Sequence, residues 1–314
     1  MLEVADGIRR VTFPLPLGID HVHCYLVRHS DGSWLLVDAG LGLPHPEERW
    51  APVLDALDAP ITRLAITHYH PDHVGDAASV AELTSAVVLQ GRLDEEQCRR
   101  TWGSDRQPER YIEHALANGL PADEADELRR ETEGLARLVH PPQSPLPLEP
   151  EEELDGWRIV HLPGHADGHL ALLRDGILLA GDTILDPISP IVGVYPDSRP
   201  DPLGDYLDSL RRIVELAPSV AFAGHRDPIR EPAGRARELL EHHRRRLDET
   251  LRALSAEPAS GYEVSHRVFP SALAPALRRF ALAETLAHLE RLVREERAER
   301  VGEPGRVLYR ASRA

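Results

Sequence analysis

The 314-residue chain contains no lysine, so all 36 of its basic residues are arginine. That excludes Schiff-base chemistry and any lysine nucleophile. Beside abundant alanine and proline, the absence reads as compositional bias rather than a functional mark. Cysteine is nearly missing as well. Cys24 and Cys98 form neither a C-x-x-C pair nor a disulfide framework, and a reduced, cytoplasmic protein is the expectation. No apolar run approaches the ~20 residues of a membrane span. The N-terminal M-L-E-V-A-D-G-I-R-R lacks the basic-then-apolar order of a secretory signal. Positive charge is scarce: 52 acidic residues outweigh the arginines and leave a net charge of −16. Such a surface repels phosphates and argues against a nucleic-acid partner, although a local patch can oppose the total. Apolar residues are not lacking. At 42% of the chain they supply a sizeable core, and the length suits about two domains.

Strand-like segments come in two blocks. In the first, Val22–Arg28 and Trp34–Val37 flank an H-S-D-G turn, and Ile61–Thr67 follows. An Ala-rich helix is predicted over Val74–Leu83, with Pro71 fitting a first helical position. Residues 94–139 turn charged and helical, and the prolines of 141–150 read as a linker-like loop. The second block comprises Trp157–Leu162, Leu170–Leu173, Ile177–Leu179 and Val220–Ala223, with an amphipathic helix over Tyr206–Leu216. Beyond residue 232 the chain is almost all helical, including Ala283–Arg297, and finishes in V-G-E-P-G-R-V-L-Y-R, a short hairpin.

The densest chemistry lies in T-H-Y-H-P-D-H-V-G-D, Thr67 to Asp76. An extended H-x-H sets His68 and His70 on one side, so both imidazoles reach one metal. Asp72 and His73 project from the following helix start and suit a second. One segment cannot complete two sites. The missing partners recur downstream with one grammar, a short apolar strand, a glycine, then a ligand. His165 follows Gly164, Asp182 follows Gly181, and His225 follows Gly224. Five histidines and two aspartates suit a borderline ion such as zinc, with iron or manganese as other candidates. His68, His70 and His165 are assigned to one ion and Asp72, His73 and His225 to the other. Asp182 bridges, as expected for two metals about 3.5–4 Å apart. A hydroxide between them would be the nucleophile, and Asp72 is the residue placed to orient it.

These motifs, with P-G-H-A-D-G-H at 163–169, A-G-D-T at 180–183, A-G-H-R-D-P-I at 223–229 and L-V-D-A-G at 36–40, resemble the metallo-β-lactamase fold superfamily. The resemblance covers roughly the first 230 residues. It implies an α/β fold, an αββα sandwich of two mixed sheets with helices outside and metals at one edge. It implies a catalytic domain over 1–231 with the helical insert at about 94–139. By the same resemblance Asp38 is a carboxylate that orients a ligand histidine, and His169 is a structural histidine rather than a ligand. The usual Thr and Pro of the 163–169 motif are replaced here by Ala166 and Asp167. Both ligand sets are complete, as in the glyoxalase II, ribonuclease-like and lactonase branches. Residues 232–314 resemble the small winged-helix domain appended to some hydrolases of this fold, β-lactamase-like protein 2 among them. Winged helices often bind DNA, but residues 255–314 carry 10 arginines against 8 acidic residues. That near balance leaves no electrostatic footprint. A domain that shapes the cleft or a homodimer is the plainer reading.

The expected activity is hydrolysis of a small ester or thioester, such as an acyl-glutathione or acyl-CoA, by a binuclear metal-dependent enzyme. A lactonase and a metal-dependent endoribonuclease are the alternatives, and a non-enzymatic metal-binding module is a third. The acidic balance and the apolar run I-S-P-I-V-G-V-Y, Ile188 to Tyr195, favour the acyl substrate. In the insert, Trp102, Tyr111 and His114 are the residues most able to touch a ligand. Tyr195 is a candidate donor to a developing oxyanion. His21 and His23 are placed at the cleft rim and not among the ligands.

Overall fold

The computed structural model describes every residue except 17, 104–106, 271–272, 274 and 313–314. Strand β3 (His21–Arg28) shows how its layers arise: all six interior residues are buried, so it is covered on both faces. Its sheet runs in chain order, β1 (Leu2–Ala5), β2 (Ile8–Pro14), β3, β4 (Trp34–Val37), β5 (Ile61–Ile66), β6 (Val87–Gln90) and β7 (Leu146–Pro147). Pairing is antiparallel up to β4 and parallel from there. The second sheet holds β8 (Glu153–Leu154), β9 (Trp157–His161), β10 (Leu170–Arg174), β11 (Ile177–Gly181) and β12 (Val220–Ala223), with only the last pair parallel.

Alternate residues of these strands go to different cores. Tyr25, Val27, Leu35 and Val37 of the first sheet meet Ile159, Leu172, Leu179 and Phe222 of the second. Their neighbours Cys24, Leu26, Leu36 and Leu64 point outward, against Trp50 of α1 (Pro46–Leu54) and Ala77 and Val80 of α3 (Ala77–Thr84). On the far side Val160, Leu178, Ala180 and Ala221 pack beneath α7 (Pro202–Leu216), α8 (Pro232–Ala253) and α10 (Pro275–Arg294). The result is the αββα sandwich.

The helix predicted over Val74–Leu83 is in fact two. A short α2 (Pro71–Val74) stops at Gly75, and α3 starts at Ala77. Gly75 lends its carbonyl to His140 N (2.7 Å), and Asp76 N reaches Gly40 O (3.0 Å). A Cβ at Gly75 would lie 2.1 Å from the Pro71 carbonyl oxygen, so only glycine permits this break. The proline-rich 141–150 stretch is more than a loop, because Leu146 and Pro147 add an edge strand, where proline is tolerated. The insert forms α4 (Arg92–Trp102), α5 (Gln107–Ala117) and α6 (Ala125–Ala136). After α8 come α9 (Gly261–Val268), α10 and the hairpin of β13 (Ala298–Glu303) with β14 (Arg306–Ala311). Helix α10 therefore begins earlier than Ala283 and ends at Arg294. Val194 N donates to Ala283 O (3.1 Å), which ties α10 to the segment following Asp182. Among the described residues, no helix is long and apolar enough to cross a membrane.

Candidate metal centre

All seven predicted donors meet at one edge of the sandwich, on the loops and the short α2 that follow the ends of β5, β9, β11 and β12. Three groups there have ligand atoms mutually within 4.8 Å: His68, His70 and His165; His68, His73 and Asp182; and Asp72, His73 and His225. Asp182 reaches across them. Its Oδ1 is 3.5 Å from His73 Nε2, and its Oδ2 is 3.1 Å from His225 Nε2 and 3.8 Å from His165 Nε2. Gly224 makes this approach possible, since a Cβ there would lie 2.5 Å from both Asp182 Oδ1 and His73 Cε1.

The imidazoles are held by their other nitrogen. His73 Nδ1 donates to Asp38 Oδ2 (2.8 Å), His165 Nδ1 to the Ile191 carbonyl (2.7 Å) and His225 Nδ1 to the His21 carbonyl (2.7 Å). Thr67 spends its hydroxyl proton on Asp38 Oδ2 (2.8 Å), so its oxygen accepts from His68 Nδ1 (3.0 Å). Each acceptor fixes the tautomer and leaves Nε2 with a free lone pair directed into the site. His70 differs, presenting Nδ1, 2.8 Å from His165 Nε2. His68 Nε2, His73 Nε2 and Asp182 Oδ1 are buried without a hydrogen-bond partner. Orphaned buried lone pairs beside carboxylates are costly unless a cation satisfies them. The donor set therefore fits divalent ions.

The electrostatics agree. Burial, then the neighbouring imidazoles, pushes His68 far below its usual range, and burial does the same to His70. For His225 burial acts downward, but Asp182 and Asp72 outweigh it and raise the pKa to about 10. Burial of His73 is likewise overcome by Asp182, Asp38 and Asp72. Asp182 is held well below a normal carboxyl despite its burial, by His225 and His73. The centre thus demands positive charge, which protons alone supply in the absence of metal.

Residues 17–225 match the metallo-β-lactamase superfamily. The chain belongs to this superfamily. Residues 247–312 match its metallo-β-lactamase-like C-terminal domain. The probable metallo-hydrolase YqjP of Bacillus subtilis is 27% identical over 93% of each chain. A metallo-β-lactamase family protein of Thermus thermophilus superposes with a TM-score of 0.85 at 35% identity, over 98% of this chain and 100% of that one. A β-lactamase domain protein of Burkholderia ambifaria gives 0.88 at 29%, over 99% and 94%. More distantly, a hydroxyacylglutathione hydrolase of Methylobacillus flagellatus is 26% identical over 50% of this chain and 45% of its own, and the thioesterase pkgB of Emericella nidulans 25% over 72% and 54%. Metallo-β-lactamase superfamily members typically bind divalent metals, and the chain is a metallo-hydrolase of that superfamily.

Around this metallo-β-lactamase centre lies a layer that the sequence revealed only in part. Asp38, at φ +63°, also accepts Thr67 N (2.8 Å), so one carboxylate orients His73 and, through Thr67, His68. His169 stacks on His68 at 4.8 Å, and its Nε2 accepts from Asp182 N (3.1 Å). His21 and His23 go beyond the rim position assigned to them. His21 Nε2 accepts from Arg226 N (3.0 Å), His23 Nε2 donates to Arg226 O (2.9 Å), and His23 N donates to Gly224 O (2.7 Å). Together they hold the His225 loop. Asp94 had no sequence signal. Its carboxylate accepts Tyr69 N (2.9 Å) and Gln90 Nε2 (2.7 Å), and burial raises its pKa to about 7. Trp102 Nε1 donates to Tyr69 O (2.8 Å), so this indole clamps the H-x-H backbone from the insert. Asp76 belongs to none of the three groups and accepts from Trp50 Nε1 (3.0 Å) instead.

Proposed function

We propose that the chain is a binuclear metal-dependent hydrolase of small esters or thioesters, of the acyl-glutathione or acyl-CoA type. The observation that carries this reading is the convergence of five imidazoles and two carboxylates, with four of the imidazoles tied through Nδ1 so that Nε2 faces the site. His68, His70 and His165 would hold one ion, Asp72, His73 and His225 the other, with Asp182 shared. Zinc suits the donor set; iron is the competing ion, since a structural neighbour, 27% identical with a TM-score of 0.50, is described in a di-iron-bound form. When bound, such ions supply Lewis acidity and make water ionise near neutral pH. Asp72 is the most exposed of the carboxylates, its side chain 15% accessible against 8% for Asp182. That exposure supports the role proposed for it, orienting the attacking water. Water adds to the acyl carbonyl, the carbon–sulfur or carbon–oxygen bond breaks, and an acid and a thiol or alcohol leave. The acidic net charge and the relatives named hydroxyacylglutathione hydrolase and thioesterase support an acyl substrate over RNA. The helix–helix–helix–hairpin order at the C-terminus supports a winged-helix reading in which that unit shapes the cleft.

The test is thiol release from a panel of acyl-glutathione and acyl-CoA thioesters by zinc-loaded protein. His68→Ala should cut turnover by at least about 10³-fold, and mass spectrometry of the metals should find two ions per wild-type chain. Release that survives in His68→Ala sinks the reading. A silent panel with two ions bound moves the assay to single-stranded RNA.

A further inference from the structure

Helix α8 reaches back to the loop that follows Asp182. Near its start, Arg235 sends Nε to the Leu185 carbonyl (2.8 Å) and Nη2 to the carbonyls of Pro187 (3.1 Å) and Ile188 (3.0 Å). None of these three carbonyls belongs to a helix or strand. One planar guanidinium supplies the donors that a neighbouring strand would otherwise give them. Farther along, Val194 N donates to Ala283 O of α10 (3.1 Å). A Cβ on Gly193 would lie 2.9 Å from the Ala283 Cβ, so the segment runs flush against that helix. Val192 is fully buried in the core that α7, α8 and α10 share. Tyr195 then turns its ring to Tyr111 of the insert, 6.0 Å away.

Ile191 stands midway on this strap, three residues from the Ile188 tie to α8 and three from the Val194 tie to α10. Three residues span at most ~11 Å, which leaves its carbonyl little slack. That carbonyl is the acceptor for His165 Nδ1 (2.7 Å). His73 leans on the carboxylate of Asp38 and His225 on the His21 carbonyl of β3. His165 alone of these three depends on a group that the C-terminal helices hold in place. Asp182, at the start of the loop, is fixed separately, its N–H on His169 Nε2 (3.1 Å).

We propose that the C-terminal helices tune the affinity of the His68, His70 and His165 set for its ion, and that Arg235 is a positioning residue for His165. The inference rests on the metal assignment above. With the strap taut, the Ile191 carbonyl keeps the imidazole proton on Nδ1 and leaves the Nε2 lone pair to ligate. With the strap slack, the proton is free to move to Nε2, the atom that must ligate. The set of Asp72, His73 and His225 lies outside this path.

The experiment measures zinc affinity of the full chain by competition with a chelator. Arg235→Ala should weaken one of the two ions about tenfold and leave the other as it was. Arg235→Lys keeps the charge but not the planar fork, and its affinity should lie between the two. Gly193→Ala pushes the strap off α10 and should weaken the same ion. Two backgrounds identify that ion. In His225→Ala the loss from Arg235→Ala should persist. In His165→Ala, where the strap has no imidazole to hold, it should vanish, whereas a merely structural loss would appear in both. Arg244→Ala, exposed on the same helix beside Glu241, is the control and should match wild type. Full affinity in Arg235→Ala, equal weakening of both ions, or a loss that survives in His165→Ala overturns the inference. Should Arg235→Ala fail to fold, Gly193→Ala is read in the same two backgrounds by the same criteria. If wild type binds two ions and an overturning result appears, the inference falls alone; a wild type that binds no zinc takes the metal assignment down with it.

Discussion

At the sheet edge four of the five imidazoles, all but His70, give their Nδ1 protons to oxygen and turn Nε2 toward one another and toward Asp182. Between α8 and α10 a second set of buried histidines behaves differently. His288 Nδ1 donates to the Glu284 carbonyl (2.8 Å), which leaves its Nε2 to accept from His243 Nδ1 (3.2 Å). One ring's lone pair is spent on the next ring's proton, and only His243 Nε2 remains unpartnered. Among the described residues no carboxylate bonds either ring. Arg246 lies close by instead, with Glu284 4.0 Å from it. Burial, and then the neighbouring histidines and Arg246, depresses His243 to about 2; burial takes His288 to about 4. The contrast shows what converts buried histidines into a cation site. Their number is not enough; their lone pairs must converge, and negative charge must stand within a few ångströms.

The sharpest way to break this comparison is to remove charge where the two metal sets share it. Asp182→Asn keeps the shape and loses the anion. It should drop metal content from two ions to about one or fewer and turnover by on the order of 10³, read by metal analysis and thioester kinetics together. Two ions retained at full rate would mean that convergence alone suffices. A smaller effect is expected one layer out. Asp38→Asn preserves a residue type that tolerates the left-handed backbone there, so the fold should survive, while metal affinity falls about 10- to 100-fold. Competition with a chelator measures it.

The smallest effect concerns the second cluster and pH. His243 and His288 are neutral in the fold, with pKa values below the unfolded ~6.5. Below that value the unfolded chain binds more protons, so these two groups cost stability as pH falls toward about 4. Each should remove roughly 2 kcal/mol between pH 7 and 5. Glu284, raised to about 7 by burial, works in the opposite direction, and Arg246, His242 and Tyr206 complete the surroundings. His243→Phe should therefore flatten the acid limb of Tm against pH relative to wild type. An unchanged slope would show that this cluster carries no proton linkage.

The convergence of the seven candidate donors was legible because each stands at a strand end, several behind a glycine, and chemistry of that kind is written locally. The two-sheet sandwich was legible for the same reason: apolar strands came in two blocks. The layer around the donors was not. Nothing near Asp94 says that its carboxylate will meet Tyr69 N, because that meeting depends on how the insert leaves β6. His21 and His23 lie on β3, and only the packing of two sheets brings them beneath the His225 loop. The break at Gly75 escaped notice because an Ala-rich run obeys helical propensity until a backbone crossing, here with residues 40 and 140, overrides it.

The seam between the sheets runs through the same loops. Tyr25 Oη donates to the Ala223 carbonyl (2.6 Å), His23 N to Gly224 O (2.7 Å) and Leu170 N to Thr67 O (2.9 Å). The candidate donors proposed for each ion come from both sides of that seam. An ion bound there would act as a rivet between the two halves of the sandwich, and the free energy of loading it would be counted in the free energy of folding. Chelation would then do more than silence the chemistry: the sandwich would begin to part along this edge, with the ligand loops as the first segments to exchange their amide protons.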